Sequence, residues 1–83
     1  MITILGMGLA NDTGQTILGR LTEREREVLR RTALGETNAQ IATGLGVSIH
    51  AVKFHLGSIF RKLEVANRTT AAAVYLSTSR SAG

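Results

Sequence analysis

The sequence predicts an all-α domain of four helices. Three observations lead there. Helix-start signals stand in order along the chain: Thr22 with Glu25 three residues later, Thr37 with Gln40, then Ser48 and Asn67. Gly35 and Gly46 follow the first two segments, where a left-handed residue commonly ends a helix. Between these marks, apolar residues recur three and four positions apart, the spacing of one helix face.

Residues 1–20 read differently from the rest. Met1 to Leu5 is a short aliphatic run followed by Gly6, Gly8, Asn11, Asp12 and Gly14. It is too short to span a membrane and lacks the basic and apolar regions of a secretory signal. A flexible N-terminal arm or linker is expected there, with no membrane partner and a cytoplasmic location.

The first helix should start at the Thr22/Glu25 capping box, with Leu21 as staple residue, and run to about Leu34 before Gly35. Val28, Leu29, Thr32 and Ala33 share one face, and Glu27 and Arg31 form an i,i+4 pair on the other. The Glu/Arg-rich pattern reads as a solvated face. The second helix opens at Thr37/Gln40, is short, and turns Ile41, Ala42 and Leu45 inward before Gly46. Ser48 caps the third, Ile49 to about Leu63. Asn67 caps the fourth, to roughly Thr78, leaving 79–83 as a frayed tail.

With 83 residues and 43% apolar content, the chain suits one small folded domain. It has no cysteine, which excludes a disulfide scaffold, a thiol nucleophile, an iron–sulfur centre and a cysteine zinc site. His50 and His55 have no neighbouring nucleophile or paired carboxylate. No enzyme activity, metal or cofactor is expected. The formal charge is +4, with pI near 10.8. All of it lies after residue 36: the first 36 residues balance, and Thr37 to Leu63 contains no acid. That distribution points to an acidic partner.

The second and third helices are joined only by Gly46–Val47. Ala42 is small where they would cross closely, Gly46 permits a left-handed turn, and Val47 can fill the angle between them. This is the make-up of a helix-turn-helix. On the third helix, Ile49, Val52, Leu56, Ile59, Phe60 and Leu63 form an expected buried stripe. His50, Lys53, Phe54, Gly57, Ser58 and Arg61 lie opposite, an acid-free face suited to a phosphate-lined groove.

The blocks Leu21-Thr-Glu-Arg-Glu-Arg-Glu-Val-Leu29, Gly35-Glu-Thr-Asn-Ala-Gln-Ile-Ala42, Leu45-Gly-Val-Ser48, Val52-Lys-Phe-His-Leu56, Arg61-Lys-Leu63 and Asn67-Arg-Thr69 resemble the LuxR-type (GerE, NarL/FixJ) DNA-binding domain over about residues 20–78. The resemblance implies a four-helix bundle whose third helix enters the major groove and whose fourth forms a dimer contact. It implies base contacts from Lys53, Phe54 and Gly57, to which the outer face adds His50 and Arg61. It places Thr37 and Asn38 at a phosphate, with Ser48, His55, Ser58 and Lys62 as further phosphate contacts. Ala51 stands where the family often has Thr, and Ser58 where it often has Asn. With Gly57 lacking a side chain, shape and phosphate contacts should carry more of the specificity.

Several residues keep two readings. His55 sits at the stripe's edge and is either a phosphate contact or simply packed. Arg61 and Lys62 either both contact DNA or one of them serves only to complement the helix dipole. Phe54 either touches a thymine methyl or packs against the arm or a neighbouring chain. In the fourth helix, Ala71, Ala72, Tyr75 and Leu76 are the expected homodimer interface, because the helix is apolar almost all round.

The expected function is sequence-specific binding of double-stranded DNA, as the output domain of a bacterial transcription regulator, with helix 49–63 in the major groove. RNA polymerase stands as a further partner. The alternative is a helical interaction module docking on polymerase or an acidic protein. The 20 residues before Leu21 are too few for a receiver or ligand-binding domain.

Overall fold

The computed structural model describes residues 17–82. Residues 1–16 of the expected arm, and Gly83, lie outside the described residues. Among those described there is no strand. Residues 17–19 are helical, and four helices follow: α1 (Glu23–Ala33), α2 (Asn38–Leu45), α3 (Ile49–Leu63) and α4 (Arg68–Ala82).

Local chemistry sets the helix starts. The Thr22 hydroxyl accepts from the Glu25 amide at 3.0 Å, and the Glu25 carboxylate accepts from the Thr22 amide at 2.9 Å. Thr37 and Gln40 repeat the exchange at 3.1 and 2.8 Å. The Ser48 hydroxyl accepts from the Ala51 amide at 3.0 Å. The Asn67 side-chain Oδ1 accepts from the Thr70 amide at 2.8 Å. Each satisfies an amide that the first helical turn leaves unpaired.

The first three helices end alike. A left-handed residue follows each, Gly35 (φ 93°), Gly46 (φ 70°) and Glu64 (φ 58°). The next amide reaches back five residues: Glu36 to Arg31, Val47 to Ala42 and Val65 to Phe60, at 3.0–3.1 Å. This motif satisfies carbonyls at the helix end. Glycine adopts it freely, whereas Glu64 does so against its own Cβ.

The core is built from Leu21, Val28 and Leu29, Ile41 and Ala42 of α2, Val52, Leu56, Ile59 and Leu63 of α3, and Ala71 of α4. Helix α1 packs against α3 and α4, and α2 packs against α3. Ile17 and Leu18 also pack on this core. The Arg26 guanidinium donates to the carbonyls of Leu18 (3.3 Å) and Leu21 (2.8 Å), a cation placed at the carbonyl end of the short 17–19 helical segment. Residues 17–20, expected as part of the arm, are therefore held against the bundle.

Three further placements depart from expectation. Ile49, assigned to the buried stripe, is 44% exposed, because the first residue of α3 projects beyond the helices that cover its later turns. Ser58, assigned to the outer face, is 8% exposed: α1 covers that flank of α3 and shifts the buried arc toward it. Helix α4 continues to Ala82, four residues past the expected end, since no glycine or proline interrupts it before Gly83. No helix among the described residues is long and apolar enough to cross a membrane.

Candidate nucleic-acid interface

The turn between α2 and α3 is Gly46–Val47–Ser48. Gly46 supplies the left-handed conformation, Val47 is half-buried and packs on the core, and Ser48 starts α3. Three residues thus reverse the chain, which fixes the angle between the helices and presents the outer face of α3.

That face is continuous. At about 100° per residue, Lys53, Gly57, His50, Arg61 and Phe54 fall in that order within an arc of about 100°. All five are exposed, Phe54 to 73%. These are the five residues expected at bases. A Cβ built on Gly57 would meet nothing within 4 Å, so this position is open space in the middle of the face.

The residues expected at phosphates divide. Thr37 and Ser48 are exposed N-caps at the starts of α2 and α3, beside amides that remain free for an anion. The Asn38 side-chain oxygen accepts from Arg68 Nη1 at 2.7 Å. His55 is half-buried, with its Nδ1 buried and unpartnered and its ring edge-on to Phe54 at 5.9 Å between centroids.

Ser58 and Lys62 are turned away from the outer face. Ser58 Oγ donates to Glu25 Oε2 at 2.8 Å, and Lys62 Nζ donates to Glu25 Oε1 at 2.8 Å. Both occupy the flank of α3 that meets α1; Ser58 is buried there, and the Lys62 side chain is 33% exposed. Burial works to raise the Glu25 pKa, but hydrogen bonds from Lys62, the Thr22 amide and Ser58 outweigh it and hold the carboxyl near 2. Expectation had placed Glu25 on a solvated face; it is 5% exposed. Of the remaining charges of α1, Glu23 and Arg24 are exposed, and Arg26, Glu27, Arg30 and Arg31 are half-buried. Glu27 receives both Arg30 (2.6 Å) and Arg31 (2.8 Å). The Arg30 hydrogen bond, opposed by burial and aided by Arg31, lowers its pKa to about 2.

The tertiary roles of two residues escaped the sequence reading. Glu25 serves the cap of α1 and clamps α3 at once; the available signal was Ser58 and Lys62 four residues apart on one flank. Arg68 opens α4 and donates to Asn38 and to the Glu36 carbonyl, tying α4 to the start of α2. An open hollow of about 520 Å³ beside α2 is lined by Arg31, Glu36, Ala39, Gln40, Thr43 and Gly44 and includes none of the expected DNA contacts. In α4, Ala71 is fully buried, which removes it from the expected dimer interface; Leu76 is 47% exposed, and Ala72 and Tyr75 are half-buried.

A family model described as "GerE: Bacterial regulatory proteins, luxR family" matches residues 19–75. The chain belongs to the luxR family. This luxR-family chain is 48% identical over 63 residues to the probable transcriptional regulatory protein SgaR of Hyphomicrobium methylovorum, covering 76% of this chain and 30% of that protein. It is 49% identical over 55 residues to the putative HTH-type transcriptional regulator YhjB of Escherichia coli K12, covering 66% and 28%. It is 45% identical over 56 residues to the nitrate/nitrite response regulator protein NarP of the same organism, covering 68% and 26%. The luxR-family chain thus spans under a third of the length of these relatives. No solved structure gives a significant match. As a luxR-family helix-turn-helix it is a DNA-binding domain of transcription regulation, with α2, Gly46–Val47 and α3 as the helix-turn-helix itself.

Proposed function

We propose that this chain is the sequence-reading domain of a bacterial transcription regulator, with α3 lying in the major groove of double-stranded DNA. The supporting observation is the outer face of α3: Lys53, Phe54, Gly57, His50 and Arg61 are exposed together, and no acid occurs from Thr37 to Leu63. A carboxylate on this face would repel phosphates on both walls of the groove. Lys53 and Arg61 supply long donors for base edges. Thr37, Asn38 and Ser48 fix the register on phosphates, where two helix N-termini present free amides and positive dipole ends. His55 adds a phosphate contact at the edge of the face.

A homodimer through the exposed side of α4, with Ala72, Tyr75 and Leu76 at its centre, would let two copies read two half-sites. Selection from a random duplex pool with the purified chain tests the proposal. A single enriched consensus is expected, palindromic if the dimer forms. Its affinity should fall steeply as log[salt] rises, because bound phosphates release counterions. Lys53→Ala should weaken binding at least several-fold and flatten the preference at one base pair. A flat salt dependence, or no enriched duplex, would favour a protein-docking module instead.

A further inference from the structure

Arg68 is the first residue of α4, and its guanidinium is held through two of its nitrogens. Nη2 donates to the Glu36 carbonyl. That stretch of backbone is itself pinned, because the Glu36 amide donates to the Arg31 carbonyl at 3.1 Å. Nη1 donates to Asn38 Oδ1 at 2.7 Å. Asn38 is the first residue of α2 and is half-buried. A guanidinium has donors and no acceptor, so only the oxygen of the Asn38 amide can face it. Oδ1 is thereby engaged, and Nδ2 is turned from Arg68 with two hydrogens that meet no acceptor among the described residues. Beside it the backbone amides of Asn38 and Ala39 are also open, since Thr37 takes only those of Gln40 and Ile41.

We propose that Arg68 is a positioning residue for DNA binding: it orients the Asn38 side-chain amide so that Nδ2 donates to a backbone phosphate at the start of α2. The inference rests on the DNA-binding reading above and adds to it a residue of α4 that acts through Asn38. In the opposite orientation Oδ1 would face the phosphate, an acceptor set against an anion. Arg68 removes that orientation, because it would set Nδ2 against the guanidinium, donor against donor. The cation also adds to the positive field at this point, which draws a phosphate in. A phosphate contact made by α2 therefore depends on a side chain from a helix outside the helix-turn-helix.

The test begins from the duplex enriched by random selection, with each phosphate replaced singly by an uncharged methylphosphonate. Binding is read by fluorescence anisotropy at fixed salt, as the ratio of affinities for the native and the substituted duplex. Lost folding stability weakens binding to both duplexes alike and cancels in this ratio, so a merely structural role does not move it. For the wild-type chain, one phosphate per half-site should give a ratio of about tenfold or more, the value of a hydrogen bond to a charged group. Asn38→Ala and Arg68→Met should each cut that ratio several-fold and by the same factor, and the double variant should cut it no further. Asn38→Asp keeps a partner for Arg68 and places an acid at a helix start, so it preserves the fold. It turns an anion on the phosphate and should invert the ratio, which decides the matter even where Arg68→Met does not fold. Circular dichroism checks the fold of each variant. An Arg68→Met chain that keeps the wild-type ratio overturns this inference alone. So do losses from Asn38→Ala and Arg68→Met that multiply, which would put both side chains on the phosphate independently, and an Asn38→Asp chain that still prefers the native phosphate. A chain that enriches no duplex overturns the DNA-binding reading, and this inference with it.

Discussion

Replacing Glu25 by Gln removes one charge from the junction of α1 and α3 and little else. The side chain keeps its length, and its amide oxygen can still accept from the Thr22 amide, preserving the cap. What disappears is the anion facing Lys62 at 2.8 Å and Ser58 at 2.8 Å. The folded state holds this carboxyl near 2 against an ordinary 4.5. A depressed folded pKa means the stabilisation is complete above about pH 4.5 and is lost as pH falls toward about 2. That interval corresponds to about 3 kcal/mol. The Lys62 side chain is 33% exposed, and water screening its contact brings the figure toward about 2 kcal/mol. For a domain this small, that is a large share of a total of roughly 4–10 kcal/mol. Urea unfolding followed by far-UV circular dichroism, run on both chains from about pH 7 to about pH 2, measures it. The wild type should exceed Glu25→Gln by about 2–3 kcal/mol at neutral pH, with the gap closing through the acid range. A gap that stays constant to about pH 2, or is absent at neutral pH, would refute the assignment of this stability to the buried charge.

Three other outcomes are expected. Glu64→Gly should raise stability by about 0.5–1 kcal/mol, because φ 58° suits glycine and an acid leaves the carbonyl end of α3; thermal melts would show it as a higher Tm. Arg68→Met should cost about 2 kcal/mol in urea unfolding, since it removes charge-assisted bonds to Asn38 and the Glu36 carbonyl that join α4 to α2. Leu76→Lys should leave the fold intact, because Leu76 is 47% exposed; it should weaken binding to a two-half-site duplex far more than to a single half-site, measured by gel shift.

The sequence made most of the helix boundaries legible. Thr22, Thr37, Ser48 and Asn67 cap through atoms no more than three residues away, and Gly35 and Gly46 stop helices by backbone conformation alone. These are local events, so local residue types report them. The outer face of α3 was legible for the same reason: helical period fixes which residues share an arc, and the absence of acids there needs only the sequence. Ile49 was misplaced because it is the first residue of its helix, and Ser58 because periodicity gives an arc's spacing but not its centre. That centre depends on which neighbour covers the helix, and the flank toward Ser58 is covered by α1.

The sequence by itself therefore determined four helices, a tight turn between the second and third, and an acid-free face bearing Lys53, Phe54 and Gly57. It also carried the motif blocks that agree with the family match over residues 19–75. Only the tertiary structure decided that Glu25 is a buried anion joining α1 to α3, that Ser58 and Lys62 serve it, that Arg68 ties α4 to α2, and that Ala71 belongs to the core. Each of these pairs residues about thirty or more positions apart or depends on what covers a helix. A buried charge is tolerable only where its partners already converge, and that convergence is a property of packing, which no local pattern encodes.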